Sequence, residues 1–313
     1  MALRYIAAFM RRSNMELLKM IESIRTPFLD GVFGIITQFG EQNIGIVILC
    51  VIFWSISKRA AYIIGAVFFI SGLTVQGAKI LFRIDRPWIA DPTFNPVPAA
   101  IGRATGYSFP SGHTQSAAAI FGSLGALIRS KPIAAVCFFI AILVAFSRMY
   151  LGVHTLIDVA VSLLITFAIV FAVVCLLRDE ELYKKRAIAV SVVIVALAAV
   201  VTGLALWLYH NELIEQHNVA DCFKAAGAAI GFALGMYIER EFIKFPIKAK
   251  NLAAQIVKCI LGLIGVLALQ EVLIWNLDPG LFSDMFRYFL LIIWVTVIYP
   301  FAIKRFFPEK EAE

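Results

Sequence analysis

From Gln42 onward the chain alternates long apolar runs with short polar connectors. Most of the runs have no polar helix face, and several approach the ~20 apolar residues that cross a bilayer. They predict about nine membrane spans, near 43–57, 60–82, 112–130, 132–149, 154–177, 187–209, 220–238, 252–276 and 286–303. Ahead of them, Phe28–Phe39 is apolar but too short to cross and holds Asp30, so it reads as a re-entrant or surface piece. The opening "MALRYIAAFMRRSNMELLKM" has its basic pair behind the apolar patch and lacks a clear h-region. It reads as an interfacial helix rather than a cleavable signal peptide. The fold class expected is all-α, a polytopic integral membrane helical bundle. Three parts are expected along it: an interfacial and re-entrant segment at 1–42, a membrane core at 43–178, and additional membrane helices at 187–305. The acidic and basic "RDEELYKKR" is the solvated connector between the last two.

Composition sharpens this picture. Of 313 residues, 61% are hydrophobic and 16% charged, far from the balance of a soluble domain. A net charge of +7 would fit a nucleic-acid partner, but no aromatic-interleaved basic stretch forms a platform for one. The basic residues instead cluster between apolar runs, as topology signals do. With the turn at Lys58 and Arg59 inside, the inner connections also collect Arg129, Lys131, Arg178, Lys184, Lys185, Arg186, Arg240 and Lys244. The outer connections at 210–219 and 277–285 hold no Lys or Arg. Two regions break the rule: the N-terminal 26 residues, and the polar stretch Lys79–Arg103 together with Arg148. Basic residues on the outer side need another reason to be there, and binding an anion is one. The five Cys show no paired spacing. Cys50, Cys137 and Cys175 lie in apolar runs and read as small core hydrophobes.

Three stretches meet at the outer edge of this layout: "KILFRIDRP" from Lys79, "PSGH" from Pro110, and "SRMYLGVHTLID" from Ser147. Two of the chain's four His are among them. His154 and Asp158 are four apart and share a face on a helix. The carboxylate would accept a hydrogen bond from one ring nitrogen, fixing the tautomer, and leave the other free to attack. Lys79, Arg86 and Arg148 supply positive charge, and Arg forks match phosphate oxygens. Ser111 and Gly112 open a span, where backbone N–H groups form an anion cradle, and His113 is placed to reach a leaving oxygen. A lone His in either place would more often be structural. Two His and one Asp could also hold zinc, but three nearby cations oppose a divalent ion. In the later helices, Glu271, Lys224 and Arg287 near outer span ends read as an interfacial pairing, with contact to a substrate head group the alternative, and "AAGAAIGFALG" as a close-packing face.

The chain resembles the type 2 phosphatidic acid phosphatase (PAP2) superfamily. All eleven fixed positions of that family's K-x6-R-P, P-S-G-H and S-R-x5-H-x3-D motifs occur in order: Lys79, Arg86, Pro87; Pro110, Ser111, Gly112, His113; Ser147, Arg148, His154, Asp158. The resemblance covers roughly residues 60–177. It implies a membrane phosphatase that needs no metal ion or other cofactor. His154 would be the nucleophile, Asp158 its orienter and His113 the acid for the leaving alcohol. Lys79, Arg86, Ser111, Gly112 and Arg148 would hold the phosphoryl oxygens. The expected substrate is a lipid phosphate monoester or diphosphate, of the isoprenyl diphosphate or phosphatidic acid type, met at a non-cytoplasmic surface, with the plasma membrane the expected site. A soluble sugar phosphate stays open as substrate and an alcohol as acceptor, and a lipid transporter or flippase is the reading from another class. The nine-span layout is similar to the glucose-6-phosphatase and sphingosine-phosphate phosphatase branches. The helices at 187–305 depart from the smaller bacterial members, and the oligomeric state is left open.

Overall fold

Local chemistry sets where the helices start and stop. The computed structural model describes residues 14–306, so residues 1–13 of the expected interfacial helix lie outside the described residues. Every regular element among the described residues is helical. Helix α1 covers residues 14–23. Helix α2, Pro27–Ile36, begins where the Thr26 side chain accepts from the Leu29 N–H and Pro27 presets the first turn. It tightens into a 3₁₀ turn at Thr37–Gly40 and is followed by α3, Gln42–Ser55, across a 50° bend. Helix α4, Lys58–Phe82, stops at Arg83, which takes a left-handed φ of 51°. An irregular segment with two short helical turns, Pro87–Ala90 and Pro98–Ile101, leads to α5. Helix α5 runs through Gly112–Ala117, a π-bulge at Ala118–Gly122, and Ser123–Leu127.

Six longer elements follow: α6 (Lys131–Tyr150), α7 (Leu156–Leu176), α8 (Glu180–His210), α9 (Gln216–Ile238), α10 (Leu252–Asn276) and α11 (Leu281–Ile293). The last continues through a π turn at Trp294–Ile298 into Tyr299–Phe306. Seven of the described helices are long and apolar enough to cross a membrane, or eight counting the bent pair of α2 and α3 as one. The count of nine differs at two places. Helix α3 is only 14 residues long, and α5 is short, bulged and buried along Thr114–Gly122. The connector "RDEELYKKR" is helical for most of its length, because Asp179 caps the Leu182 N–H and Glu181 pairs with Lys185 at 2.5 Å. Cys50 and Cys137 are buried as expected, but Cys175 is exposed on α7. Large apolar side chains stand exposed along the helices, Leu164, Val192, Trp207 and Trp275 among them, as they would against hydrocarbon.

The described chain divides into two compact units. Residues 14–45 and Ala78–Ala168 form the first, and Ile46–Gly77 with residues 169–306 the second. The first has a core of Leu18, Ile21, Phe94, Ala145, Met149, Leu151, Val153 and Val159, so the turn after α6 is anchored from both sides. Asp30, the charge inside the apolar segment, accepts from the Tyr150 hydroxyl at 3.1 Å. In the second unit the small-residue face of α9 packs on α11: a Cβ at Gly227, Gly231 or Gly235 would strike Met285, Phe289 or Thr296. Lys224 lies 3.4 Å from Asp221 and Arg287 lies 3.3 Å from Asp284, so these are ion pairs.

Candidate active site

All eight residues singled out from the sequence lie in the first unit. The turn at Leu151–Thr155 is built first, because it carries His154. The Val153 and His154 N–H groups return to the Arg148 carbonyl at 3.1 and 3.3 Å, and the Leu151 N–H donates to the Ser147 carbonyl. Gly152 has φ +76°, and a Cβ there would sit 2.7 Å from Arg25 and 2.8 Å from Phe94. Glycine is therefore required by both backbone and packing.

His154 precedes α7 instead of lying on it, so the i, i+4 helical pairing expected with Asp158 takes another form. Asp158 sits in the first turn of α7 and reaches back over the helix start. Its Oδ2 accepts from the Thr155 N–H at 2.8 Å and from the Ser108 hydroxyl at 2.7 Å, and lies 3.6 Å from His154 Nδ1. The carboxylate thus closes the helix N-terminus and faces the imidazole at once.

Arg86 fixes the tautomer. Its guanidinium donates to the carbonyls of Thr105 (2.7 Å), Gly106 (3.0 Å) and Val153 (3.0 Å). The same Nη1 lies 2.9 Å from His154 Nε2. A guanidinium only donates, so Nε2 accepts and the ring proton stands on Nδ1, towards Asp158. Burial first, and then Arg86, Arg148, Lys79 and His113, hold the His154 ring well below the usual imidazole range. The ring is neutral at physiological pH, with its unprotonated nitrogen turned away from the carboxylate.

The remaining residues surround this pair. Lys79, in the last turn of α4, donates to the Tyr107 carbonyl at 3.0 Å. Ser111 caps α5: its hydroxyl accepts from the Thr114 hydroxyl at 3.0 Å, and its N–H donates to the Asp158 carbonyl at 3.2 Å. Ser162 of α7 donates to the Ser111 carbonyl at 2.9 Å, which ties the start of α5 to α7. The Phe109–Pro110 peptide just before it is cis. A Cβ on Gly112 would meet no protein atom within 4 Å, so packing does not demand glycine there. Arg148 is buried, with Nη1 donating to Thr37 Oγ1 at 2.7 Å and Nε unpaired. His113 Nε2 lies 3.8 Å from Glu41 Oε1.

Sequence reading missed Ser108, Thr37 and Glu41. Ser108 stands three residues before Ser111 in the same loop and could have been included on proximity. Thr37 and Glu41 come from "TQFGEQN", a polar interruption between two apolar runs, and only the bend between α2 and α3 brings it to the site.

Residues 60–182 match the PAP2 superfamily, and residues 223–311 match the transmembrane extension of PAP2 superfamily phosphatases. The chain is similar to undecaprenyl-diphosphatase BcrC of Bacillus subtilis (strain 168), with 28% identity over 162 residues, which is 50% of this chain and 81% of that protein. It is also similar to the crystal structure of a transmembrane PAP2 type phosphatidylglycerolphosphate phosphatase from Bacillus subtilis. There the identity is 24% and the TM-score 0.45, over 52% of this chain and 84% of that one.

Proposed function

Because this chain belongs to the PAP2 superfamily, we propose that it hydrolyses a lipid phosphate monoester or diphosphate through a phosphohistidine on His154. The observation that carries this reading is the buried His154, its Nδ1 facing Asp158 and its Nε2 against Arg86. A nitrogen nucleophile needs its lone pair free of a proton, and this environment withholds one. As the phosphoryl group arrives, the Arg86 N–H passes from Nε2 to a phosphoryl oxygen. Arg148, Lys79 and the N–H groups at the start of α5 take the remaining charge. Gly112, which packing leaves free to be larger, stays small for the close approach of that group. An isoprenyl diphosphate is the favoured substrate, since a relative of similar sequence is named for that activity. The polyprenyl tail stays in the bilayer beside the exposed apolar helices.

Three cationic side chains and a helix N-terminus suffice for a phosphoryl dianion without a divalent ion. Phosphate release from undecaprenyl diphosphate, phosphatidic acid, phosphatidylglycerol phosphate and glucose 6-phosphate is expected to survive EDTA. Vanadate, which takes the five-coordinate geometry of phosphorus in transfer, is expected to inhibit. Activity lost on chelation and restored by zinc or magnesium would overturn the metal-free reading. Phosphate release from glucose 6-phosphate alone would move the assignment to a soluble ester.

The site is assigned to the non-cytoplasmic side on the charge pattern of the connectors. A single Cys at Asn95, in a chain freed of its five native Cys, should react with an impermeant thiol reagent added to whole cells. One at Lys184, an exposed side chain at the start of α8, should not. The reverse pattern would invert the topology.

A further inference from the structure

The N-terminal segment reaches the site at two points. Thr37 takes the hydrogen bond from Arg148, and Gly40 presses on His113 so closely that a Cβ would lie 2.7 Å from its carbonyl oxygen. Glu41 follows directly, with its Oε1 3.8 Å from His113 Nε2 and 3.2 Å from Arg103 Nη1. Arg103 is held in turn by Gln38 at 2.8 Å. The 3.8 Å separation of Glu41 and His113 is an ion-pair contact rather than a hydrogen bond.

The charges around His113 make this carboxylate matter. Burial first, and then Arg148, Lys79, Arg86 and Arg103, hold the His113 ring well below the usual imidazole range, and His154 lies in the same cluster. A general acid must enter the reaction protonated, and burial and four cations oppose that. A bound phosphoryl group offsets part of their field, but its charge is shared among all of them. Glu41 is the carboxylate that forms an ion pair with His113 among the described residues.

We propose that Glu41 is the positioning residue of the leaving-group proton, holding His113 as an imidazolium aimed at the departing oxygen. This rests on the phosphatase reading above. As the His154 nitrogen bonds to phosphorus, the P–O bond to the leaving group breaks, an ester bond in a monophosphate and the anhydride bond in a diphosphate, and its electron pair stays on the leaving oxygen. The His113 proton passes to that oxygen, leaving a neutral ring. When water then attacks the phosphohistidine, His113 takes the water's proton and is an imidazolium again. Glu41 stays ionised throughout and never touches the substrate.

The test compares Glu41→Gln and Glu41→Asp in the full chain. kcat/KM is measured against pH on a long-chain alkyl phosphate and on nitrophenyl phosphate. An opposite charge this near ordinarily moves a pKa by about 1–3 units. The basic limb of Glu41→Gln should therefore move down by about one pH unit or more. At pH 8 the loss should be about tenfold or greater on the alkyl ester and small on the nitrophenyl ester, whose leaving group needs no proton. Glu41→Asp keeps the charge at a longer reach, and its limb should fall between the two. If Glu41→Gln does not fold, the partial shift in Glu41→Asp carries the test alone. Equal losses on both esters, or a basic limb that neither variant moves, would overturn the proposal. Wild-type protein that releases no phosphate from either ester would instead overturn the phosphatase reading itself.

Discussion

His154→Ala is expected to abolish turnover on every phosphate ester offered, whatever its leaving group. In the proposed mechanism the imidazole bonds to phosphorus, so its removal costs the chemical step itself. Losing a covalent nucleophile costs roughly 10⁶-fold in kcat in a well-studied hydrolase. The fold should tolerate the change, because the turn is held by main-chain bonds to Arg148 and by Val153 in the core. Acid-stable linkage is not expected of a phosphohistidine, so the trapped intermediate is sought under alkaline quench with labelled substrate. Label should appear on wild type and not on His154→Ala. The pH profile carries the same assignment. A ring held below the usual imidazole range keeps its nucleophilic nitrogen free as pH falls through ~6.5. The acid limb of kcat/KM set by His154 should therefore lie below that value, with activity rising as pH rises through it. Wild-type rates in His154→Ala would end the nucleophile assignment.

His113→Ala is expected to divide substrates by their leaving groups. An alkyl alkoxide departs poorly without a proton, and general-acid assistance is worth ~10²–10⁴-fold. A nitrophenolate departs unaided. The variant should lose about two to four orders of magnitude in kcat/KM on an alkyl lipid phosphate, and far less on nitrophenyl phosphate. In the proposed mechanism the wild-type basic limb reports the loss of the His113 proton, so activity is expected to fall as pH rises through it and the whole profile to be bell-shaped. Equal losses on both esters would show that His113 holds phosphate and delivers no proton.

Much of this site was legible because its residues cluster in three short motifs, each at the edge of an apolar run. Spacing alone brought Lys79, Arg86, His113, Arg148 and His154 to one place. Spacing could not give the form of the His154–Asp158 contact, which depends on a helix that starts at Leu156 rather than at His154. The span count slipped for a related reason. Hydropathy treats α5 as a lipid-length run, whereas its small and polar residues are buried in protein and its helix is bulged. Thr37 and Glu41 were out of reach, since they are brought in by a bend and sit far ahead in the chain of Arg148 and His113, the residues they approach.

The first unit is not one stretch of chain. It joins residues 14–45 to Ala78–Ala168, with Ile46–Gly77 belonging to the other unit. A polypeptide emerging from the ribosome therefore exposes Thr37 and Glu41 well before their partners Arg148 and His113 exist. The early segment must wait at the membrane, its polar turn unmatched, until the turn at Leu151–Thr155 has been made. Nor would a fragment trimmed to residues 60–182, the bounds of the family match, contain that segment. Such a fragment would carry every motif residue and still leave Arg148 without its hydroxyl partner and His113 without its facing carboxylate. Swapping whole N-terminal segments between relatives should then exchange pH optimum and leaving-group preference along with topology, although none of the motif residues would have moved.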